Sequence, residues 1–167
     1  FGSFRDPAGR IFYKENNVYR EINKNGIKRF EFIKKDNLLN DLIDNGYLVD
    51  TKISEVDKNK IILKHETLNF ISYPYEWTFT QLKDAAIFHL DLQIFLLSKN
   101  AKLIDASAYN IQFKNNKPIF IDILSIDKYS DGEYWYAHKQ FCENFLNPLV
   151  LCAKKGINFN NWFRGNL

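Results

Sequence analysis

Apolar and polar residues alternate along Arg10-Ile-Phe-Tyr13 and Val18-Tyr-Arg-Glu-Ile22, with the polar Lys14-Glu-Asn-Asn17 between them. A period of two on both sides of a turn predicts a β-hairpin over 9–22. Gly26 reads as a breaker. From 27 to 45, Phe30, Ile33, Leu38, Leu42 and Ile43 recur at helical spacing. Gly46 stands where a helix takes a left-handed C-terminal residue. A strand or extended loop is predicted over 47–53 and a polar turn at Asp57-Lys-Asn-Lys60. Two β-rich runs, 61–66 and 68–73, follow closely enough to pair antiparallel. Pro74 has no N–H to give a ladder and ends the second run.

The strongest helical pattern opens at Thr78 or Thr80 and runs to about Asn100. Leu82, Ala85, Ala86, His89, Leu92 and Leu96 make one face, and Ile87, Leu90, Ile94 and Leu97 widen it. Only Thr80, Asp84, Asp91 and Ser98 form a polar stripe, so the helix is expected to be largely buried. Beyond it come Leu103-Ile104, a loop to Asn110, a strand at 111–113, a turn at Asn115-Asn116 and a strand at 118–122. A helix is predicted over 134–153, interrupted at Pro148, and an apolar tail with Trp162 and Phe163 ends the chain. Strands gather in the first half and helices in the second. That order predicts an α+β fold of two lobes, a strand-rich one over 1–73 and a mainly helical one over 74–167.

Composition changes this picture little. In 167 residues, 46% hydrophobic and 16% aromatic content supports a packed core. A net charge of +3, spread among scattered acidic residues, is too weak and diffuse to indicate nucleic acid. Cys142 and Cys152 lack metal or disulfide spacing and read as structural. His65, His89 and His138 share no ligand spacing, and His89 on an apolar helix face reads as a satisfied core histidine. No apolar run is long enough to span a membrane and none has the form of a signal peptide, so a cytoplasmic setting is expected.

The chemistry concentrates in Asp105-Ala-Ser-Ala-Tyr-Asn110 and in Asp122, which ends the apolar run Ile119-Phe-Ile121. A hairpin between Asn110 and Asp122 would bring them together. Two carboxylates and an amide are the oxygen donors that suit Mg²⁺ on phosphate, and phosphoryl transfer asks a protein mainly for positioning and charge neutralisation. Isolated loop Asp and Asn residues are also ordinary turn formers. A carboxylate closing an apolar strand, however, needs a metal, a cation or backbone donors.

Together with Phe70-Ile-Ser-Tyr-Pro-Tyr-Glu-Trp77 and Gln81-Leu-Lys-Asp-Ala-Ala86, these segments resemble the N-terminal region of a bacterial family of class I SAM-dependent methyltransferases and nodulation-type proteins. Phe4-Arg-Asp-Pro-Ala-Gly9, Val18-Tyr-Arg20 and Gln140-Phe-Cys142 extend the resemblance over most of the chain. It implies a downstream or partner methyltransferase domain. The seven glycines are isolated and form no nucleotide loop, so SAM chemistry is not expected on these residues.

The order Asp-x-x-x-x-Asn, strand, turn, strand, Asp also resembles that of protein kinases and small-molecule phosphotransferases. By that resemblance Asp105 is the catalytic aspartate, Asn110 and Asp122 are the metal ligands, and ATP with Mg²⁺ is the cofactor. Arg20 takes the place of a phosphate-contacting lysine, with Glu31 as its ion-pair partner. Ser72, Tyr73 and Tyr75 lie in the hinge that would contact adenine. The chain departs from the pattern in four places. Leu103-Ile104 stand where a histidine is usual, Ile123-Leu124 follow Asp122, the first hairpin lacks a glycine-rich cover, and Arg20 is bulkier and forked compared with lysine. The expectation is therefore a degenerate, kinase-like nucleotide and Mg²⁺ domain. The alternative is a non-catalytic module that presents a glycan or other small-molecule acceptor to a methyltransferase. Nucleic-acid binding has only a pI of about 8.7 in its favour.

Overall fold

The hairpin pattern of the first residues forms strands β1 (Gly9–Lys14) and β2 (Asn17–Asn23) in the computed structural model, which describes residues 7–164. Phe4-Arg5-Asp6 of the resemblance segments and Gly165–Leu167 of the tail lie outside the described residues. Both turn residues, Glu15 and Asn16, are left-handed, as the tight turn between twisted strands requires. The chain divides into two units after Asn69.

In the first unit, β3 (Thr51–Asp57) and β4 (Lys60–His65) complete an antiparallel sheet of order β1-β2-β4-β3. β3 is one of the two edges, exposed beyond Thr51, with several charged residues and a bulge between Ile53 and Glu55, features that discourage further pairing. The 68–73 run does not pair with β4 as expected, because β4 already spends both edges on β2 and β3.

Gly26 is not a breaker. It lies inside helix α1 (Lys24–Lys34), whose first turn is capped by the side chain of Asn23. A Cβ at Gly26 would stand 2.7 Å from Ile22 Cγ2 and 2.9 Å from the Ala8 carbonyl oxygen, so the glycine permits close packing on the hairpin. The helical periodicity of 27–45 is split. Left-handed Asp36 and Asn37 end α1 and start α2 (Leu38–Asp44), while Phe30, Ile33, Leu38 and Leu42 stay buried across the break. Gly46 is left-handed at the end of α2, as expected.

Close approach is tighter still at Gly9, where an added Cβ would lie 2.2 Å from the Glu21 carbonyl oxygen of the paired strand. Gly9→Ala is expected to destabilise the first unit by about 2–3 kcal/mol, since the clash is with backbone and not with a side chain that can swing away. Urea unfolding followed by circular dichroism checks this, and an unchanged midpoint would refute it.

The second unit is built on α3 (Phe79–Ser98), opened by a reciprocal capping box between Thr78 and Gln81. Leu82, Ala85, Ala86, His89, Leu92 and Leu96 are buried as expected, but Ile87, Leu90, Ile94 and Leu97 are exposed. The 3.6-residue period turns them away from the core that the first set faces. Strands β5 (Ala101–Leu103) and β8 (Ile126–Lys128) pair, as do β6 (Ile111–Lys114) and β7 (Lys117–Phe120). The three-residue β8 has no counterpart in the sequence reading.

The helix expected over 134–153 begins only at α4 (His138–Phe141), passes through a π turn at Cys142–Leu146, and continues as α5 (Asn147–Lys155). Pro148 sits at the start of α5. It has no N–H for the Asn144 carbonyl, and the wider turn just before it accommodates its ring. Helix α6 (Asn160–Arg164) buries Phe163 within the second unit. The Tyr109 hydroxyl donates to the Phe163 carbonyl at 2.9 Å, and Asn160 Nδ2 donates to the carbonyls of Tyr75 and Trp77. Among the described residues, no helix is long and apolar enough to cross a membrane. The architecture is α+β.

Candidate functional site

The β6–β7 hairpin turns through Asn115 and Asn116, both left-handed, a conformation asparagine tolerates better than most residues. Its register sets Ile111 opposite Phe120, and the Ile121 amide donates to the Asn110 carbonyl at 3.0 Å. Asn110 and Asp122 are thereby held at the same end of the hairpin. A short hydrogen-bonded path links them. Asn110 Nδ2 lies 3.4 Å from Ser125 Oγ, and the Ser125 hydroxyl donates to Asp122 Oδ2 at 2.5 Å.

Asp105 completes the group from the loop before β6. Its Oδ1 accepts from the Ser107 amide at 2.7 Å, and Asn110 and Gln140 also donate to it. Partial burial pushes the Asp105 carboxyl above the usual range, and the charge of nearby Asp122 adds to the rise. Hydrogen bonds from Ser107, Gln140 and Asn110 oppose it. Asp105, Asn110 and Asp122 thus share one small region, each half-buried. Among the described residues, no group of three or more His, Cys, Asp or Glu could hold a metal ion. A cation here would rest on the Asp122 carboxylate and the Asn110 amide oxygen, with the Asp105 carboxylate beside them.

The loop that carries Asp105 is itself held from α4 and the π turn. The Ala106 amide donates to Gln140 Oε1 at 2.9 Å, and the Ala108 amide donates to Asn144 Oδ1 at 3.2 Å. The sequence does not single out Asn144 or Ser125, and it marks Gln140 only as part of a resemblance segment, with no role at the site. The available signal was the i, i+4 spacing of two amide side chains, which puts them on one helix face.

Ser72, Tyr73 and Tyr75 lie ahead of α3. Ser72 is clamped by Gln112, whose side chain accepts from the Ser72 amide and donates to its carbonyl, both at 2.9 Å, while Ser72 Oγ accepts from Trp77 Nε1. The Tyr73 amide donates to Glu76 Oε2 at 2.8 Å. The rings of Tyr73 and Tyr75 stack at 5.4 Å, nearly parallel, and the Arg164 guanidinium lies over Tyr75. In the first unit, Arg20 is buried on β2, opposite Ile11 and Leu63. Glu31 is on the exposed face of α1 and pairs with Lys34 at 3.2 Å.

Sequence comparison agrees with the nodulation-type part of the resemblance. The chain is similar to nodulation protein NoeA of Rhizobium meliloti (strain 1021). The two are 44% identical over 173 aligned residues, covering 99% of this chain and 36% of NoeA. The chain therefore spans about a third of the length of NoeA, and NoeA has room for a further domain. No family model matches the chain.

Proposed function

We propose that the chain is a degenerate kinase-like domain that holds Mg²⁺ and the phosphates of ATP, within or beside a protein that carries a methyltransferase domain. The supporting observation is the convergence of Asp105, Asn110 and Asp122 through Ser125 at the end of the β6–β7 hairpin. In this reading Asn110 and Asp122 are the metal ligands, and Asp105 orients the acceptor hydroxyl. Ser72, Tyr73 and Tyr75 keep their hinge role as part of the same proposal, whereas Arg20 and Glu31 lie in the first unit, where Glu31 pairs with Lys34. The donor set fits a hard divalent cation, because Asp122 and Asn110 offer oxygen donors and the Asp122 charge adds to the cost of ionising Asp105, a cost that a cation removes. Bound Mg²⁺ would supply neutralisation of phosphate charge.

Ligand at ~100 times its Kd stabilises a folded protein by about 2.7 kcal/mol. Millimolar Mg·ATP is accordingly expected to raise the melting temperature of the wild type, and Asp122→Asn is expected to abolish the rise. No shift in the wild type would overturn the reading.

One observation favours a second reading, that of a non-catalytic module presenting a glycan or similar acceptor. Both backbone groups of Ser72 and the Tyr73 amide, which an adenine would need, are already committed within the unit. The exposed ring of Tyr73, backed by Tyr75, is left as a flat apolar face. Saccharide binding lost in Tyr73→Ala, without nucleotide binding, supports this second reading. ATP turnover lost in Asp105→Ala refutes it.

A further inference from the structure

His89 is fully buried in the middle of α3, and neither ring nitrogen has a hydrogen-bond partner. Four aromatic rings surround it. Phe120 lies at 6.2 Å, Trp135 at 6.3 Å, Phe141 at 5.9 Å and Phe145 at 5.4 Å between centroids. A phenylalanine would fill such a cage without stranding two polar atoms, so the imidazole carries a packing cost that shape alone does not require.

Two walls of the cage, Phe141 and Phe145, alternate along one helical stretch with Gln140 and Asn144. The aromatic pair grips His89, and the amide pair holds the Ala106 and Ala108 amides of the Asp105 loop. The same stretch therefore meets the cage with one face and the loop with the other. We infer that His89 is an acid-sensitive positioning residue: uncharged, it seats 140–145 and so fixes the Asp105 loop, and a proton on its ring unseats that stretch and frees the loop.

Burial holds the His89 imidazole down at about 4, with no charged group contributing to the shift. The charged and titratable groups of the neighbouring elements have other placements. Lys102 of β5 is bonded to Glu133 and lies near the Tyr136 ring. Lys117 of β7 is exposed. Lys139 pairs with Glu143 on the outer side of α4, and exposed His138 approaches Cys142. Half-buried Cys152 and exposed Lys154 and Lys155 belong to α5, and Lys83, Asp84 and Asp91 of α3 lie outside its buried face. An imidazolium in the cage would thus have neither water nor a counter-charge.

The inference gives the site proposed above a regulator and rests on that reading for its meaning. Its test reads the loop and no ligand, so either can fail alone. The chain is titrated from pH 7.5 to 3.5 by NMR, following the His89 ring proton and the Ala106 and Ala108 amides, with far-UV circular dichroism in parallel. Because Asp105 also titrates beside those amides, the titration is repeated in Asp105→Asn and in His89→Phe. The expected result is that both amides shift with the midpoint of His89 before far-UV signal is lost, that the shift survives in Asp105→Asn, and that it vanishes in His89→Phe. A shift that vanishes in Asp105→Asn, survives in His89→Phe, or coincides with loss of far-UV signal overturns the inference. If His89→Phe does not fold, Asp105→Asn decides, since its amides must then move with the His89 ring.

Discussion

Phe145→Ala is expected to cost about 3–5 kcal/mol of stability, the range for truncating a buried Phe. Phe145 is fully buried, sits at the π turn, and closes on both Phe141 at 5.3 Å and His89 at 5.4 Å. Deletion of its ring removes its contact between α3 and the π turn that precedes α5. The cavity cannot collapse easily, because Pro148 and the π turn constrain the helix on one side and Asn144 is tied to the loop on the other. The same variant opens the cage to water, so the His89 midpoint should rise from about 4 toward its ordinary 6.5. Denaturant unfolding measures the first effect and an NMR titration of the imidazole the second. A loss under 1 kcal/mol would mean that the aromatic cluster repacks.

Acidification is expected to weaken the fold through His89. The imidazole titrates near 6.5 when the chain is unfolded and at about 4 when it is folded. Above 6.5 both states hold it neutral and its contribution to stability is complete. As pH falls from 6.5 to 4 the unfolded chain takes up the proton and the folded chain does not, so stability declines. Below 4 both states are protonated and no further loss arises from this group. At ~1.4 kcal/mol per pH unit, the loss amounts to about 3 kcal/mol. Asp105 acts in the opposite direction. Its raised carboxyl takes up a proton more readily in the folded state, so acidification above its ordinary value relieves a cost. Unfolding free energies at pH 7.5, 5.5 and 4 in the wild type and His89→Phe isolate the histidine. An equal pH slope in the two proteins would refute its assignment.

Particular residues show how far local pattern reaches. The 9–22 hairpin, the Gly46 cap and the Asn115-Asn116 turn follow from backbone preference and period, which act over a few residues, and the same preferences narrow the start of α3 to Thr78 or Thr80. Asp105, Asn110 and Asp122 were visible as candidates because the intervening strand, turn and strand dictate that Asn110 and Asp122 meet. Their supports were not visible. Ser125, Gln140 and Asn144 are ordinary polar residues until the hairpin and the helix are packed together. The same applies to Gly26, whose role depends on Ala8 and Ile22, and to the 68–73 run, whose pairing partner was taken by β2 and β3.

The amino-acid sequence by itself determined the α+β order, the turns and caps, and the identity of the three polar groups that converge. These are local properties, settled by periodicity and by which residues accept left-handed or extended backbone. Only the tertiary structure decided which apolar face of α3 is covered, that Phe163 packs within its own unit, and that His89 sits unpartnered among four aromatic rings beside the helix holding the Asp105 loop. The reason is physical. Desolvation and hydrogen-bond partnership depend on residues distant in the chain, so neither exists until those residues meet.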